Sequence, residues 1–448
     1  MLGLDILKFV NTHLRTNLAL AWPLAINVLL VQSMLMIDTL LVAPLGEVPV
    51  AAMGIAAAIL AFALGIELAI GNGIQLLVGR AYGANKSADL VVAFWVGLFV
   101  NLFTAVAFFA ILSGFDDDIV AALTSNPAVE QRVLSYLGIT KYIVIITAFT
   151  QVCTAFYNGR GDTKVTLKGY LIEIPLNAIL SYFLIYGVGG NAGLGLEGAA
   201  LGSLTAVFLR ATYFTGVLLL DKRVHLRYPR GRPLHAEMGP QLAEILPIAA
   251  NFFVLFIGAS VYQLLFAQLA LSSFVAITLI FPWLRIGTQV ISAWAQASAI
   301  NISQALGNNT TQHLAAFVSV CIRTALGLSL AVAVLFFIFS QFIQFIYPNI
   351  EPATYAALSV IAPLYILLPI VRGYNSVSAN ILRALGESKR VLKLHFVTQW
   401  LISLPVCAVL ILYCDVSLFW AFAIMPIEEL LKTFHFYRYT RMKLDSEY

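Results

Sequence analysis

The sequence predicts an all-α membrane protein with twelve transmembrane helices in two parallel six-helix repeats. Three observations predict this fold class: the composition, the number of long apolar runs and an internal repetition. Of the 448 residues, 60% are hydrophobic and 11% are charged, whereas soluble domains have about 25% charged residues. The formal net charge of +4 is too small to indicate a nucleic-acid partner. We therefore expect membrane lipids around this chain.

Twelve apolar runs reach about 20 residues, the length that a helix needs to cross about 30 Å of hydrocarbon. The runs are 18–43, 50–83, 90–113, 130–158, 165–187, 195–220, 241–270, 273–306, 311–346, 352–383, 391–413 and 416–437. The only long polar linker, 221–241, divides the chain into an N-terminal six-helix lobe (1–220) and a C-terminal six-helix lobe (242–448).

The orientation follows from the basic residues, because Lys and Arg of short loops stay on the cytoplasmic side. Alternate connections carry these residues, namely Arg80, Lys86, Arg160, Lys164, Lys168, Arg383, Lys389, Arg390, Lys393 and the basic residues of the 221–241 linker. The intervening loops hold Glu47, Glu351 and the triplet Asp116 to Asp118, with Arg132 as the main exception. We therefore expect a cytoplasmic linker and both termini in the cytoplasm.

The two halves repeat. The first half opens with PLAIN (23–27) and the second with PIAAN (247–251), at an offset of 224 residues. The same offset carries RAYGAN (80–85) onto QALGNN (304–309), and an offset of 225 carries GDTK (161–164) onto GESK (386–389). Three anchors in one order on one membrane side indicate two parallel repeats, which in transporters enclose a central substrate site.

Together these motifs resemble the multidrug and toxic compound extrusion (MATE) family. The segments that carry the resemblance are PLAIN and PIAAN, QLLVGRAYGANKS, NISQALGNNTTQ, FYNGRGDTK and NILRALGESK. The resemblance implies a V-shaped pair of six-helix bundles around a central cavity. It also implies a multi-pass protein of the cell inner membrane that exports amphipathic, often cationic, small-molecule drugs in exchange for protons or sodium ions. We expect a monomer that needs no cofactor.

Asp38 lies in the apolar stretch MLMIDTLLV of the first predicted helix. A charged side chain at the bilayer centre costs about 2.5–3.5 kcal/mol, so it needs a partner, a cavity or a proton. The resemblance implies that this helix-1 Asp, here in the context IDT, is the coupling carboxylate. The alternative is an Asp held by hydrogen bonds in a rigid bundle.

The fifth predicted helix supplies the expected neighbours of Asp38. Glu173, Asn177 and Ser181 are spaced i, i+4, i+8 and therefore share one helix face. The chain is similar to the DinF-like proton-coupled branch, in which the Asn matching Asn177 is followed four residues later by a second Asp. Ser181 stands at that position, so a relay of two carboxylates is in doubt. We expect Asn177 and Ser181 to form hydrogen bonds with Asp38.

The second half has no acidic residue in its first and fourth helices, where sodium-coupled NorM-type members carry them. At the repeat offset, the position equivalent to Asp38 is Tyr262. We therefore expect coupling in the N-terminal lobe, to protons rather than to Na⁺. Glu67, near mid-depth of the second helix, is the second candidate for coupling; the alternative is a structural ion pair, with Lys141 as one candidate partner.

Pro23 removes a backbone hydrogen bond near the inner end of helix 1, so we expect either a static kink or a moving hinge. The predicted drug contacts are apolar, aromatic and amide side chains, each of which has lipid contact or core packing as its alternative. They are Gln32, Met34, Met36, Met53, Phe62, Tyr157 and Tyr262.

The predicted function is proton-coupled drug export, and two alternatives stay open: a sodium-coupled drug antiporter and a lipid-linked oligosaccharide flippase. We expect no enzyme, because no histidine lies mid-span and the sequence has no HExxH motif. The four cysteines lack metal-ligand spacing and lie in apolar stretches, so they predict buried thiols and no metal site.

Overall fold

The described part of the chain is helical throughout. The computed structural model describes residues 2–187, 192–223, 226–310, 313–348, 350–414 and 416–447, with side chains from Asn11 to Asp445 within these ranges. Val224 and His225 of the predicted linker lie outside the described residues. The long helices are α1 (Leu2–Val42), α2 (Glu47–Gly83), α3 (Ser87–Gly114), α5 (Pro127–Gly159), α6 (Thr163–Tyr186), α7 (Leu196–Leu220), α8 (Leu234–Phe266), α9 (Leu271–Gly307), α10 (Leu314–Gln341), α12 (Pro352–Ala384) and α15 (Leu418–Glu447).

The remaining elements are short. They are a 3₁₀ turn (Ala43–Leu45), α4 (Asp116–Leu123), α11 (Ile343–Ile346), and α13 (Ser388–Phe396), which continues through a π-helical segment (Val397–Ser403) into α14 (Leu404–Leu412). Segment 388–412 therefore crosses as one span with a π-helical insert. Such inserts change the direction in which side chains point and are frequent at functional sites.

Eleven of these helical segments are long and apolar enough to cross a membrane, within the described residues. The twelfth predicted span, 416–437, lies in α15, whose composition is more polar because it carries Glu428, Glu429 and Lys432. Lys432 Nζ lies 2.5 Å from a Glu428 oxygen and 3.4 Å from a Glu429 oxygen. Pairing these charges lowers the cost of carrying them through the bilayer, so the predicted set of twelve helices is confirmed.

The internal repetition is visible in the backbone. Asn85 and Asn309 both have φ 55°, and Gly161 and Gly386 have φ 89° and 86°. Each follows a long helix at the offset expected from sequence and adopts the left-handed conformation that closes a helix C-terminus. In all four places the next residue donates its N–H to a carbonyl five residues back, for example Lys86 to Ala81 at 3.0 Å and Thr310 to Ala305 at 3.0 Å.

The GDTK motif holds together the end of the N-terminal repeat. Arg160 donates to Asp221 at 2.7 Å, and Arg223 donates to both Asp162 and Asp221 at 3.0 Å. Burial alone would raise the pKa of Asp221, but hydrogen bonds from Arg223 and Arg160 outweigh burial and lower it to about 2. The motif is therefore a structural link between the start of α6 and the end of α7.

The chain forms two compact units. Each unit contains the first part of one long helix whose remainder belongs to the other unit, namely α1 and α8. One unit comprises Ile26–Ala249, and the other comprises Met1–Ala25 together with Ala250–Tyr448. We call them the N-terminal unit and the C-terminal unit. Inside the C-terminal unit, the start of α1 is held to α9, since Asn17 donates to Ser298 at 3.1 Å.

Each unit has its own apolar core. In the N-terminal unit, α2 and α5 pack side by side, with Ala56, Val133 and Val144 fully buried between neighbouring helices. In the C-terminal unit, α9 and α12 form the corresponding contact, with Ile361 and Ile280 fully buried. Three of the four cysteines are buried as predicted, but Cys414 is exposed beyond the end of α14, so the prediction of a buried thiol is wrong there.

Candidate functional site

Asp38 lies in the last turn of α1, in the N-terminal unit, and only 8% of it is exposed. The side chains that interact with its carboxylate are Asn177 of α6 and Ser203 of α7. Asn177 Nδ2 also donates to Ser203 Oγ at 2.9 Å. We call these three residues the Asp38 cluster. It brings one carboxylate, one amide and one hydroxyl together from three helices.

The cluster retains hydrogen-bonding capacity. Asp38 Oδ1 and Asn177 Oδ1 are buried and have no hydrogen-bond partner among the described residues. Most buried polar atoms in proteins are paired, and those that are not mark places where a proton, water or ion is accommodated. The cluster therefore has acceptor atoms that no described residue satisfies.

Glu173, one turn before Asn177 on α6, has a different environment. Its carboxylate lies 2.8 Å from the guanidinium of Arg210 on α7, and both side chains are buried. Arg210 also donates to Thr150 of α5 at 2.8 Å and lies 4.7 Å from the ring centre of Tyr170. The charge of Glu173 is therefore balanced within the protein, whereas Asp38 forms no ion pair with any residue that the structure describes.

Close packing of α6 against α7 brings the cluster together. A side chain added at Gly198 would lie 2.4 Å from the backbone oxygen of Leu184, and one at Gly202 would lie 2.3 Å from Ser181 Oγ and 2.8 Å from Ser181 Cα. Small residues four apart let membrane helices approach closely. This approach places Ser203, the residue after Gly202, against Asn177.

We expect Gly202→Ala to destabilise the protein, because the new methyl group would overlap the backbone of α6. Overpacking of this kind costs about 1–3 kcal/mol. Gly216→Ala is the matched control, since Gly216 lies on the same helix with no atom within 4 Å of an added methyl group. A helical Gly→Ala change there should stabilise by about 0.5–1 kcal/mol. Equal thermal midpoints for the two variants would contradict the packing argument.

Comparison with known proteins identifies the family. The sequence model of the MatE family matches residues 23–183 and again 247–409, so its two matches start at the two prolines that open the repeats. The chain belongs to the MatE family. Its members are membrane transporters, and the resemblance carried by the sequence motifs is confirmed.

Two relatives and one solved structure illustrate this MatE similarity. The chain is 23% identical over 405 residues to the uncharacterized transporter YisQ of Bacillus subtilis, covering 86% of this chain and 85% of YisQ. It is 25% identical over 384 residues to the multidrug resistance protein NorM of Aliivibrio fischeri, covering 82% and 80%. A MATE solved in the bent conformation superposes with a TM-score of 0.88 at 17% identity, covering 97% and 96%. That superposition shows the MATE fold.

In this MatE transporter, one of the two residues predicted to contact Asp38 does so, and the other is replaced by a residue of α7. Asn177 meets Asp38 as expected, but Ser203 takes the place expected for Ser181. Ser181 is fully buried against Gly202, and its hydroxyl has no hydrogen-bond partner among the described residues. Ser181 therefore contacts α7 rather than Asp38 of α1, although it shares one face of α6 with Asn177.

Glu67, the second predicted coupling carboxylate, is 0% exposed in α2 of this MatE transporter. Neither of its oxygens has a hydrogen-bond partner within the described ranges, so the alternative of a structural ion pair is not realised there. Lys141, the proposed partner, lies instead 5.8 Å from the ring centre of Phe109. Glu67 is therefore buried without a counter-charge from any described residue.

The predicted drug contacts fall into three groups. Met53 and Tyr157 are buried in the N-terminal unit, where Tyr157 stacks on Phe214 with ring centres 6.3 Å apart. Tyr262 is buried in the C-terminal unit and donates to Glu428. The half-buried or exposed candidates are Gln32, Met34, Met36 and Phe62. Tyr262 also lines a cavity of the C-terminal unit, whereas in the N-terminal unit only the third group has exposed surface.

Sequence reasoning missed Ser203 and Arg210 of this MatE transporter. Arg210 had a visible signal, because it is the only charge between Glu197 and Asp221 in an apolar run, ten residues or about 15 Å from the end of α7. Ser203 had none, since serine is common on membrane helices. Both become functional candidates only because α7 packs against α6.

Proposed function

We propose that this MatE transporter exports amphipathic cations in exchange for protons, and that Asp38 carries the exchanged proton. One observation carries the proposal. Asp38 is the buried carboxylate of the cluster that lacks a basic partner, while Glu173 has Arg210. A carboxylate without a counter-charge in an apolar setting is stable when it binds a proton or a cationic ligand.

The cluster suits a proton better than a sodium ion. A hard cation that loses its water shell needs several oxygen ligands in a fixed arrangement. The cluster has one carboxylate, because Glu173 is engaged by Arg210, and Asn177 turns its amide nitrogen towards Ser203. The described residues contain no group of three or more acidic, His or Cys side chains suited to a metal ion. A proton requires only one oxygen.

Protonation would change the hydrogen bonds between α1 and its neighbours. The charged Asp38 accepts hydrogen bonds only, whereas the protonated form also donates. The acceptor that suits it is Asn177 Oδ1, which is buried without a partner. A protonated Asp38 would therefore hold α1 to α6 differently, and a drug cation would lose its attraction to the site. Proton and drug compete for one negative charge, which is the basis of exchange.

We propose that the drug contacts Gln32, Met34, Met36 and Phe62, the accessible candidates of the N-terminal unit. Met and aromatic side chains adapt to varied apolar ligands, and aromatic faces attract cations. The NorM relative is a multidrug resistance protein by name, which supports a broad substrate class. Glu67 is proposed as an auxiliary proton site. The central cavity between two lobes, the 221–241 boundary and the cytoplasmic termini stay predictions.

Transport by the purified protein in liposomes tests the coupling ion. We expect efflux of a fluorescent cation such as ethidium when a pH gradient is imposed without sodium, because each inward proton supplies the exchange. A sodium gradient at constant pH should give no efflux above protein-free liposomes. Sodium-driven efflux with no response to pH would overturn proton coupling in favour of the sodium-coupled alternative.

Pro23 is the proposed hinge of α1. It lies two residues before the place where α1 passes from the C-terminal unit to the N-terminal unit, after Ala25. Proline removes one helix hydrogen bond, so bending is least costly there. Pro247 is its counterpart in α8, two residues before the passage after Ala249.

We expect Pro23→Ala to insert and fold normally but to lower the rate of proton-driven efflux at least about tenfold. The reason is that the restored hydrogen bond stiffens α1 between Asp38 and the N-terminal part of the same helix. Pro247→Ala is the matched control. It should retain most of the activity, since Asp38 lies on α1. Full activity of Pro23→Ala would mean that the kink is static.

A further inference from the structure

The C-terminal unit contains a cavity of about 360 Å³ that the proposed coupling site does not use. One wall is a single face of α12 from Arg372 to Arg383. The two arginines are eleven positions apart, which is about three helical turns at 100° per residue. They therefore lie on the same face of α12, about 16 Å apart along one wall. Other walls come from α8, α9, α13 with its π-helical continuation, and α15.

The two acidic residues of the cavity are already engaged. Glu428 accepts from Lys432 Nζ and from the Tyr262 hydroxyl, each at 2.5 Å. Glu429 accepts from Asn375 at 2.7 Å and lies 3.5 Å from Arg372 Nε. All four carboxylate oxygens therefore have partners. A cationic ligand would have to displace a buried ion pair to reach them, which is costly.

The basic residues exceed the acidic ones. Arg372, Arg383 and Lys432 line the cavity against Glu428 and Glu429. Arg383 forms no ion pair with any described residue. Arg372 uses one of its five N–H donors on Glu429, at the long distance of 3.5 Å. The cavity thus has a surplus of one positive charge and guanidinium donors to spare.

Two polar side chains, His395 and Asn380, line the cavity with Arg383. Nδ1 of His395 in α13 lies 2.6 Å from Asn251 Oδ1. Because that oxygen can only accept, Nδ1 carries the hydrogen, and Nε2 of the neutral ring is an acceptor that adds no donor for an anion. Asn380, one turn before Arg383, lies on the same wall; one N–H of its amide donates to the Ser376 carbonyl at 2.9 Å, and the second N–H remains as a donor. Guanidinium and amide donors together match carboxylate and phosphate oxygens.

The rest of the lining is apolar and includes Leu255, Phe281, Ile291 and Met425. We propose that this cavity is a binding site for an amphipathic monoanion whose carboxylate or phosphate is held by Arg383 and whose apolar part lies along these side chains. One negative charge neutralises the surplus. The proposal is independent of proton-coupled cation export, because it concerns equilibrium binding in the other unit.

Binding of three dansyl probes to the full chain in phosphatidylcholine nanodiscs tests the site, with empty nanodiscs subtracted. The probes are dansylglycine (anionic), dansylamide (neutral) and dansylcadaverine (cationic). We expect dansylglycine to bind at least about tenfold more tightly than the other two, because only it can accept charge-assisted hydrogen bonds. Equal affinities would overturn the proposal.

Substitutions of Arg383 test whether its guanidinium binds the anionic group of the probe. Arg383→Gln should weaken dansylglycine binding about tenfold or more and leave dansylamide unchanged, while Arg383→Lys should recover part of the loss. Arg285→Gln is the matched control, because Arg285 is exposed in the same unit and does not line the cavity. Equal affinity of Arg383→Gln and the wild type, with equal thermal midpoints, would refute the assignment of Arg383.

Displacement identifies the source of the anion. Dihexanoylphosphatidylglycerol at sub-micellar concentration should displace dansylglycine if the natural ligand is a lipid head group, and benzoate should displace it if the ligand is a free carboxylate. Displacement by either compound supports the site. Failure of both compounds to displace the probe would overturn it.

Discussion

Asp38→Asn is expected to reduce proton-driven drug efflux to the level of protein-free liposomes. The amide has the size of the carboxyl group and can keep the interactions with Asn177 and Ser203, but it does not exchange a proton or carry a charge. The thermal midpoint should therefore change little while coupling is lost. Efflux of a fluorescent cation under an imposed pH gradient measures this, at matched amounts of reconstituted protein.

Asp118→Asn is the control for this substitution, because Asp118 is an exposed carboxylate of α4. It should leave efflux unchanged. Efflux by Asp38→Asn at half the wild-type rate or more would contradict the proposed role and would favour the alternative in which Asp38 only holds a rigid bundle. In that case Glu67, buried without a counter-charge, becomes the first carboxylate to test.

Arg210→Met is expected to cause the largest loss of stability. The substitution leaves Glu173 buried without its partner at 2.8 Å and leaves Thr150 without its donor. Breaking a buried pair by removing one member costs about 3–5 kcal/mol, because the remaining charge is uncompensated. The free energy of unfolding, measured by SDS titration in mixed micelles, should fall by about that amount.

The double variant Glu173→Gln with Arg210→Met should recover most of this loss, since no buried charge remains. Arg132→Gln provides the exposed comparison: Arg132 pairs with Glu197 at 3.1 Å but is half exposed, so its removal should cost about 0–1 kcal/mol. Two results would show that the buried pair does not hold α6 to α7. One is an equal loss of stability in the Arg210 and Arg132 variants, and the other is a double variant that is no more stable than Arg210→Met.

The two repeats place their buried charges differently. In the N-terminal unit, Glu173 and Arg210 join neighbouring helices, and Asp38 has no ion-pair partner among the described residues. In the C-terminal unit, Glu428, Glu429 and Lys432 share one helix and line a cavity with two arginines. At the repeat offset, Tyr262 replaces Asp38 and donates to Glu428. The repeat therefore preserves the backbone caps at Asn85 and Asn309 but not the chemistry between the helices.

The class of protein, the twelve helices and the repeat could be predicted from the sequence alone, because these depend on local patterns. Run length and composition decide whether a segment crosses a membrane. The helix ends at Asn85, Asn309, Gly161 and Gly386 depend on residues next to each other in the chain. Asp38 was also identifiable, since a lone carboxylate in an apolar run stands out without knowledge of its neighbours.

Which side chains meet depends on how the helices pack and could not be predicted from local patterns. Ser203 lies 26 residues after Asn177, and Arg210 lies 37 after Glu173, so their contacts depend on how closely α7 approaches α6. That approach depends on Gly198 and Gly202, whose missing side chains allow it. Spacing on α6 predicted which residues share a face, but not which neighbouring helix the face touches. Periodicity describes one helix, whereas the balance of buried charge is a property of several helices packed together.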